Sequence, residues 1–90
     1  MTSIDEKIRG VLDTYGKLMV SSASLSDDDD LYQNGLSSHA SVNVMLALEN
    51  AFEVEFPDSL LRKGTFQSVS AIRGALVSMG VSPDALTGRE

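Results

Sequence analysis

Residues 35–52 read GLSSHASVNVMLALENAF, and this stretch carries the strongest helical pattern of the chain. Its apolar side chains recur at intervals of three and four residues, which is the spacing of one face of an amphipathic helix. Ser37 suits the N-cap position, because its hydroxyl can accept hydrogen bonds from the exposed amides of the first turn. The pattern therefore predicts a helix over 38–52 in which Ser38 is the first helical residue. Its buried stripe consists of Val44, Met45, Leu48, Ala51 and Phe52.

The residues before this helix predict a first helix and a long loop. Apolar residues recur with helical spacing over 3–19, and Ser3 with Glu6 has the pattern of a capping box. The periodicity is lost over 20–37, and a loop of this length in a small domain is itself a hint of function. We expect Asp27–Asp30 to be a solvated charge run, because the ligand spacing of a calcium loop is absent.

The residues after it predict a short helix and a last main helix. Asp58 can cap a short helical segment over 59–62, which Gly64 then ends. Helical spacing returns over 68–79, and Gly80 suits the end of that helix. Since no strand pattern competes, the sequence predicts an all-α bundle of three main helices plus one short helix.

These elements fit one domain followed by a tail. The predicted domain covers 1–80, and 81–90 are expected to form a flexible C-terminal tail. Residues expected in the core are Met45, Leu48, Phe52 and Ile72.

The composition favours a domain that binds other proteins rather than nucleic acid. The chain has 90 residues, of which 42% are hydrophobic and 22% charged, the balance of an ordinary globular domain. A net charge of −6 and a pI of about 4.5 repel phosphate backbones, so no nucleic-acid partner is expected. No segment is apolar enough to span a membrane, and the N-terminus lacks the basic residues of a signal peptide. We therefore expect a cytoplasmic monomer without a membrane partner.

The residue types that carry catalysis are scarce. The chain has no cysteine, which excludes disulfides, thiolate zinc sites and a cysteine nucleophile. His39 is the only histidine and directly follows Ser38. Neighbours on a helix point about 100° apart, so this pair cannot act as nucleophile and base. Nucleotide-binding and zinc-protease motifs are also absent. The sequence therefore predicts a protein that is not an enzyme and has no metal site.

Ser38 is a candidate for modification by another enzyme. It is predicted to be exposed at the junction of a long loop and a helix, near the positive end of the helix dipole. Backbone amides at this position favour an attached phosphate. Serines at helix starts are also common as capping residues, so the local pattern leaves a purely structural role open.

A second feature of the same helix is its exposed apolar surface. Val42 and Leu46 lie on a different face of the helix from the buried stripe. Together with His39 they form a ridge beside Ser38. The ridge is either a docking surface, flanked by Glu49 and Glu53, or a set of ordinary surface residues.

Three segments in order resemble acyl carrier proteins. Gly35-Leu36-Ser37-Ser38-His39 corresponds to the family's glycine, polar residue and modified serine. The stretch 42–52 is similar to the family's second helix, and Glu55-Phe56-Pro57-Asp58 matches the turn before its short third helix. The resemblance implies a helical bundle with 4′-phosphopantetheine joined to Ser38 by a phosphodiester. It also implies that cargo is held as a thioester on the thiol of that arm.

The sequence departs from the carriers of fatty-acid synthesis. Ser37 and His39 stand where the family usually has Asp and Leu on either side of the modified serine. The exposed face of the helix has Ala40, Asn43 and Asn50 where fatty-acid carriers are acidic. These differences argue against a fatty-acid role and favour a dedicated pathway.

A narrower resemblance is to stand-alone aminoacyl carrier proteins. It rests on the run 31–42, on Phe56-Pro57-Asp58 and on Leu60-Leu61. It implies loading by an amino acid:[carrier protein] ligase similar to the catalytic core of class II aminoacyl-tRNA synthetases. The cargo would then be a small amino acid.

The resemblance also implies the partners of the protein. They are a phosphopantetheinyl transferase, an amino acid or acyl ligase and a downstream acceptor enzyme. Phe56 is expected beside the mouth between the second and third helices, where carriers can shelter cargo. The residues expected to contact partners are His39, Val42, Leu46, Glu49 and Phe56. Two alternatives stay open, a specialised acyl carrier for lipid or polyketide synthesis and a non-covalent helical adaptor in which Ser38 is only a cap.

Overall fold

The computed structural model describes residues 4–81, and within them it contains helices and no strand. The three main helices are α1 (Ile4–Tyr15), α2 (Ser38–Phe52) and α3 (Val69–Ser78). Helix α1 packs against both α2 and α3. Short 3₁₀ helices occupy the connections at Ser22–Ser24, Tyr32–Asn34, Asp58–Leu60 and Lys63–Phe66. The predicted all-α bundle with three main helices is confirmed.

The core lies between the three main helices and the connections that cover them. Leu48 and Ile72 are fully buried, as the sequence predicts, whereas Met45 and Phe52 are only partly buried at the edge of the core. The other buried apolar residues are Ile4, Ile8, Leu12, Leu25, Leu31, Leu36, Ala40, Val44, Phe56, Phe66, Val69, Ala75 and Leu76. The expectation that Ala40 lies on the exposed face of α2 is therefore wrong, because this side of the first turn packs into the core.

Helix α2 begins where the sequence predicts. Ser37 is extended, with φ −94° and ψ 165°, and its hydroxyl accepts a hydrogen bond of 3.0 Å from the Ala40 N–H. At the other end, Glu53 adopts the left-handed conformation with φ 56°, and the Val54 N–H donates to the Glu49 carbonyl. Ser38 is therefore fixed as the first residue of a helix that is capped at both ends.

Helix α1 is shorter than predicted. It ends at Tyr15, and Lys17 has a positive φ of 52°, which turns the chain away from the helix axis. Met19 lies in the loop instead of the helix, and its N–H donates to the Asn34 carbonyl at 2.8 Å. The predicted cap Ser3 lies outside the described residues.

The predicted short helix over 59–62 is replaced by two 3₁₀ segments. Asp58 is the first residue of Asp58–Leu60 rather than its cap, and Leu61 leaves helical geometry with φ −87° and ψ 71°. Gly64 does not end helical structure, since it lies inside Lys63–Phe66. The connection therefore forms two separate turns, each within the three to four residues that are usual for a 3₁₀ helix.

The end of α3 matches the prediction for Gly80. This glycine has φ 102°, and its N–H donates to the Val77 carbonyl. The Val81 N–H donates to the Leu76 carbonyl, which completes the hydrogen-bond pair of a Schellman motif. Val81 also packs against the core, so it belongs to the domain and not to the predicted tail. The rest of that tail, 82–90, lies outside the described residues.

The acidic run in the first loop is not simply solvated. Asp27 forms ion pairs with Arg9 at 2.8 Å and with Arg73 at 3.2 Å, which joins the loop to α1 and α3. An Asp30 oxygen accepts from the Tyr32 N–H at 2.9 Å. Only Asp28 fits the predicted solvated state, because it is exposed and has no hydrogen bond or ion pair within residues 4–81.

Two general properties concern the described residues as a whole. None of their helices combines the length and hydropathy that a membrane crossing requires. Residues 4–81 also contain no cluster of three or more histidine and acidic side chains suited to a metal ion.

Candidate functional site

Three serines lie at the start of α2, and their hydroxyl groups have different partners. The Ser37 hydroxyl accepts from the Ala40 N–H, and the Ser41 hydroxyl donates to the Ser38 carbonyl at 2.7 Å. The Ser38 hydroxyl is exposed and makes no hydrogen bond to any residue within 4–81. Of these three nucleophile candidates, Ser38 is thus the one whose oxygen is available for modification.

Ser38 also lies at the edge of a surface groove of about 330 Å³. One wall comes from α2 and the opposite wall from the connection between α2 and α3, while Tyr32 from the first loop closes one side. The residues that line the groove are Tyr32, Ser38, Ser41, Val42, Met45, Leu61, Arg62, Lys63 and Phe66.

Tyr32 links the first loop to the far wall of this groove. Its hydroxyl donates to the Lys63 carbonyl at 3.1 Å, and the Lys63 ammonium lies 4.9 Å from the centre of its ring. Burial raises the pKa of the Tyr32 phenol, the nearby Ser41 hydroxyl acts to lower it, and the Asp30 charge adds to the rise. The phenol therefore stays protonated at neutral pH and remains a hydrogen-bond donor.

The predicted ridge lies on the surface beside Ser38. His39 is exposed, and the residues Val42 and Leu46 are 50% and 53% exposed. Val42 belongs to both the ridge and the groove. A partner that covers the ridge would therefore also touch the groove.

Glu49 and Phe56 have structural roles that the sequence did not indicate. A Glu49 carboxylate oxygen accepts from the Phe56 N–H at 2.8 Å, and this bond fixes the chain as it leaves α2. Phe56 is 6% exposed, and its ring centre lies 5.4 Å from that of Phe66. Phe56 is therefore corrected from a partner contact beside the mouth to a core residue that supports Phe66 in the groove.

Sequence reasoning missed the far wall of the groove. Leu61, Arg62 and Lys63 face α2 across it, yet they lie more than twenty positions from Ser38 in the chain. The adjacent basic pair in an acidic protein was the available signal. Its position opposite Ser38 depends on the two 3₁₀ turns, which the sequence pattern did not predict.

A family comparison decides what kind of site this is. The family model described as "Phosphopantetheine attachment site" matches residues 16–73, which include Ser38 and every residue of the groove. The chain belongs to the phosphopantetheine-attachment family. Its members are carrier domains rather than enzymes, so the chain carries phosphopantetheine and performs no catalysis of its own.

Individual relatives indicate which kind of carrier protein this chain is similar to. An aminoacyl carrier protein from Agrobacterium fabrum is 48% identical over 65 residues, covering 72% of this chain and 78% of the relative. A carrier protein from Agrobacterium tumefaciens, crystallised with an engineered Bradyrhizobium japonicum glycine:[carrier protein] ligase and AMP, superposes with a TM-score of 0.80. That pair is 42% identical, and the match covers 82% of this chain and 99% of the other. The chain is thus a homologue of aminoacyl carrier proteins.

A more distant structural relative adds one further observation. The match is to a crystal structure of Bradyrhizobium japonicum glycine:[carrier protein] ligase complexed with glycylated carrier protein, with a TM-score of 0.68 and 27% identity. It covers 79% of this chain and 95% of the other. The same fold thus occurs in a carrier that bears glycine.

The residues at the start of α2 suit the phosphopantetheine group. The arm needs a free hydroxyl for its phosphodiester and an open path for an extended chain. The Ser38 hydroxyl has no partner within residues 4–81, and the groove extends from it past Met45 and Phe66. When bound, the group supplies the thiol that this cysteine-free chain lacks.

Proposed function

We propose that Ser38 bears the 4′-phosphopantetheine arm and that the protein carries a small amino acid as a thioester on it. The observation that supports Ser38 is its free, exposed hydroxyl, which contrasts with the engaged hydroxyls of Ser37 and Ser41. In the attachment step, Ser38 Oγ loses its proton and bonds to the phosphorus of the phosphopantetheinyl group of coenzyme A. The adenosine bisphosphate portion leaves.

The start of α2 is suited to hold the resulting phosphodiester. The amides of the first turn and the helix dipole stabilise a negative charge at this end. Because Ser37 caps the Ala40 N–H, the first turn keeps its geometry while the neighbouring hydroxyl is modified. Attachment therefore needs no change in the backbone of α2.

The amino acid cargo and the ligase are inferred from the relatives. The Agrobacterium and Bradyrhizobium structures contain carriers bound to glycine:[carrier protein] ligases, and one of those carriers is glycylated. We assign this chain a ligase of the same kind, a phosphopantetheinyl transferase that acts before it, and an acceptor enzyme that acts after it. We place the protein in the cytoplasm, where coenzyme A and ATP are available, and assign it a monomeric state.

The ridge of His39, Val42 and Leu46 is the proposed docking surface for these enzymes. The two aliphatic side chains are half exposed and adjoin the attachment point, so a bound partner would reach the arm directly. Glu49 lies at the end of the ridge and is partly buried, and one carboxylate oxygen is engaged by the Phe56 N–H. We therefore propose a peripheral contact for Glu49.

Intact-mass measurement tests the attachment. The protein is incubated with coenzyme A and a broad-specificity phosphopantetheinyl transferase, and Ser38→Ala is treated in parallel. We expect one phosphopantetheine on the wild type and none on Ser38→Ala. The matched controls Ser37→Ala and Ser41→Ala should both be modified. Modification that persists in Ser38→Ala would place the arm on another residue.

Loading of the modified protein tests the cargo. The holo form is incubated with ATP, a glycine:[carrier protein] ligase and single small amino acids, and the mass is measured again. We expect one aminoacyl group per holo protein and none on the apo protein. Loading only by an acyl ligase would favour the specialised acyl carrier instead. Function that persists in Ser38→Ala would favour the adaptor.

A further inference from the structure

The groove beside Ser38 has an unusual charge distribution for a protein with a net charge of −6. Arg62 and Lys63 both line it, and within residues 4–81 no acidic side chain lines it. The rest of the lining is mainly apolar, with Val42, Met45, Leu61 and Phe66. A group that enters from Ser38 thus meets two cations and an apolar surface.

The acidic side chain of Asp30, two residues before Tyr32, does not neutralise these cations from within the groove. Asp30 is not one of the lining residues, and one of its oxygens accepts from the N–H groups of Tyr32 and Gln33. Its other oxygen accepts from the Gln67 side chain at 3.4 Å. The Lys63 ammonium lies over the Tyr32 ring, which holds the positive charge at the edge of the groove.

We infer that the groove admits the neutral acyl end of a phosphopantetheine arm and excludes an aminoacyl end, whose α-ammonium is repelled by Arg62 and Lys63. An ammonium placed there would lose hydration against the apolar lining, and no acidic side chain lines the groove within residues 4–81 to pair with it. It would also meet the like charges of Arg62 and Lys63, which line the same groove. An amino acid on the arm is therefore displayed in solvent. The inference rests on the proposed attachment at Ser38.

The size of the groove is suited to hold short acyl groups. A volume of about 330 Å³ is at the lower end of the range for small-molecule pockets. Between short cargoes of equal size, discrimination would therefore come from charge. An aminoacyl thioester would stay open to partner enzymes, whereas a mistakenly attached neutral acyl group of the same size would be sheltered.

The test compares two cargoes of equal shape by nuclear magnetic resonance. Hydrolysis-resistant amino-coenzyme A analogues that carry glycyl or propionyl groups are attached by the transferase, and intact mass confirms loading. The glycyl group has an ammonium where the propionyl group has a methyl. Spectra are recorded at about pH 6.5, where an α-amino group is protonated. Nuclear Overhauser contacts from the cargo to the Met45 methyl and the Phe66 ring report occupancy of the groove.

The variants change the charge of the groove or of a remote site. Arg62→Glu and the double variant Arg62→Gln/Lys63→Gln alter the groove, and both positions are exposed, so the fold should tolerate them. Lys17→Gln removes one positive charge outside the groove and serves as the matched control. Two different groove variants keep the test valid if one of them is unstable.

In the wild type and in Lys17→Gln we expect nuclear Overhauser contacts between the propionyl group and the groove residues. We expect no such contacts from the glycyl group. In Arg62→Glu and in the double variant, glycyl contacts should appear. Equal contacts from both cargoes in the wild type, or no propionyl contacts, would overturn the inference while leaving the attachment intact. A wild-type protein that gains no mass would instead contradict the attachment at Ser38.

Discussion

Single residues at the start of α2 determine where the arm can be attached. The hydroxyls of Ser37 and Ser41 are used to cap and brace the first turn, and the Ser38 hydroxyl is left free within residues 4–81. The loop that delivers the chain to this point depends on Gly35, which has φ 110°. A Cβ atom there would lie 2.9 Å from the Met19 backbone nitrogen.

Gly35→Ala tests this loop at the level of one residue. We expect it to lower the free energy of unfolding by about 1–3 kcal/mol, because alanine is strained at this φ and its Cβ would clash with Met19. The matched control is Gly10→Ala within α1, where a Cβ has no neighbour within 4 Å. The control should gain about 0.5–1 kcal/mol, since alanine favours helix. Urea unfolding measures both, and equal effects of the two changes would contradict the steric argument.

Among the elements, the first loop is held by more than its apolar residues. Arg9 donates to the carbonyls of Ser22 and Leu25 as well as to Asp27. Arg73 from α3 joins Asp27 from the other side and also pairs with Asp5 of α1 at 2.7 Å. This network fixes the loop between two helices.

The pH dependence of folding tests the network. Hydrogen bonds from Arg9 and then Arg73 hold the pKa of Asp27 below its ordinary value of 3.8. Because the folded-state pKa is depressed, ionised Asp27 stabilises the fold above pH 3.8, and this contribution is lost as pH falls through the lower value. Asp27→Asn should therefore lower stability at neutral pH and flatten the acid-side decline.

Asp28→Asn provides the control for that measurement. Asp28 is the exposed neighbour of Asp27 and makes no ion pair within residues 4–81. Urea unfolding from pH 7 to pH 2 should give nearly the wild-type curve for Asp28→Asn. A curve for Asp27→Asn that runs parallel to the wild type would show that the network contributes nothing to acid sensitivity.

At the scale of the whole molecule, the exposed apolar residues of α2 are separate from the core that stabilises the fold. Val44 and Leu48 of α2 are fully buried, whereas Val42 and Leu46 are half exposed on another face of the same helix. A change on the exposed face should thus affect binding of partners without affecting folding.

Leu46→Glu tests this separation of roles. We expect a loss of about tenfold or more in ligase-dependent loading, since a charge at the centre of an apolar contact costs more than about 1.4 kcal/mol. The unfolding midpoint should hardly change, because surface substitutions typically alter stability by about 0.5 kcal/mol or less. Val77→Glu, at a 39% exposed valine of α3, is the matched control and should load normally. Equal loading of the two variants would remove Leu46 from the docking surface.

Local patterns in the sequence determined the features whose causes lie within a few residues. Helix α2 begins at Ser38 and ends at Phe52 as predicted, because the apolar spacing and the Ser37 cap act over one or two turns. Gly80 ends α3 for the same reason. The resemblance to carrier proteins likewise rested on short contiguous motifs, and the family is confirmed.

Only the tertiary structure decided the features that join distant parts of the chain. The groove brings Tyr32, Ser38 and Lys63 together from three segments, and no local pattern encodes that meeting. Burial of Phe56 and pairing of Asp27 with Arg73 across 46 positions depend on how the connections fold over the helices. A polar side chain can be either solvated or paired. Which of the two occurs depends on the partners that the tertiary packing brings within reach.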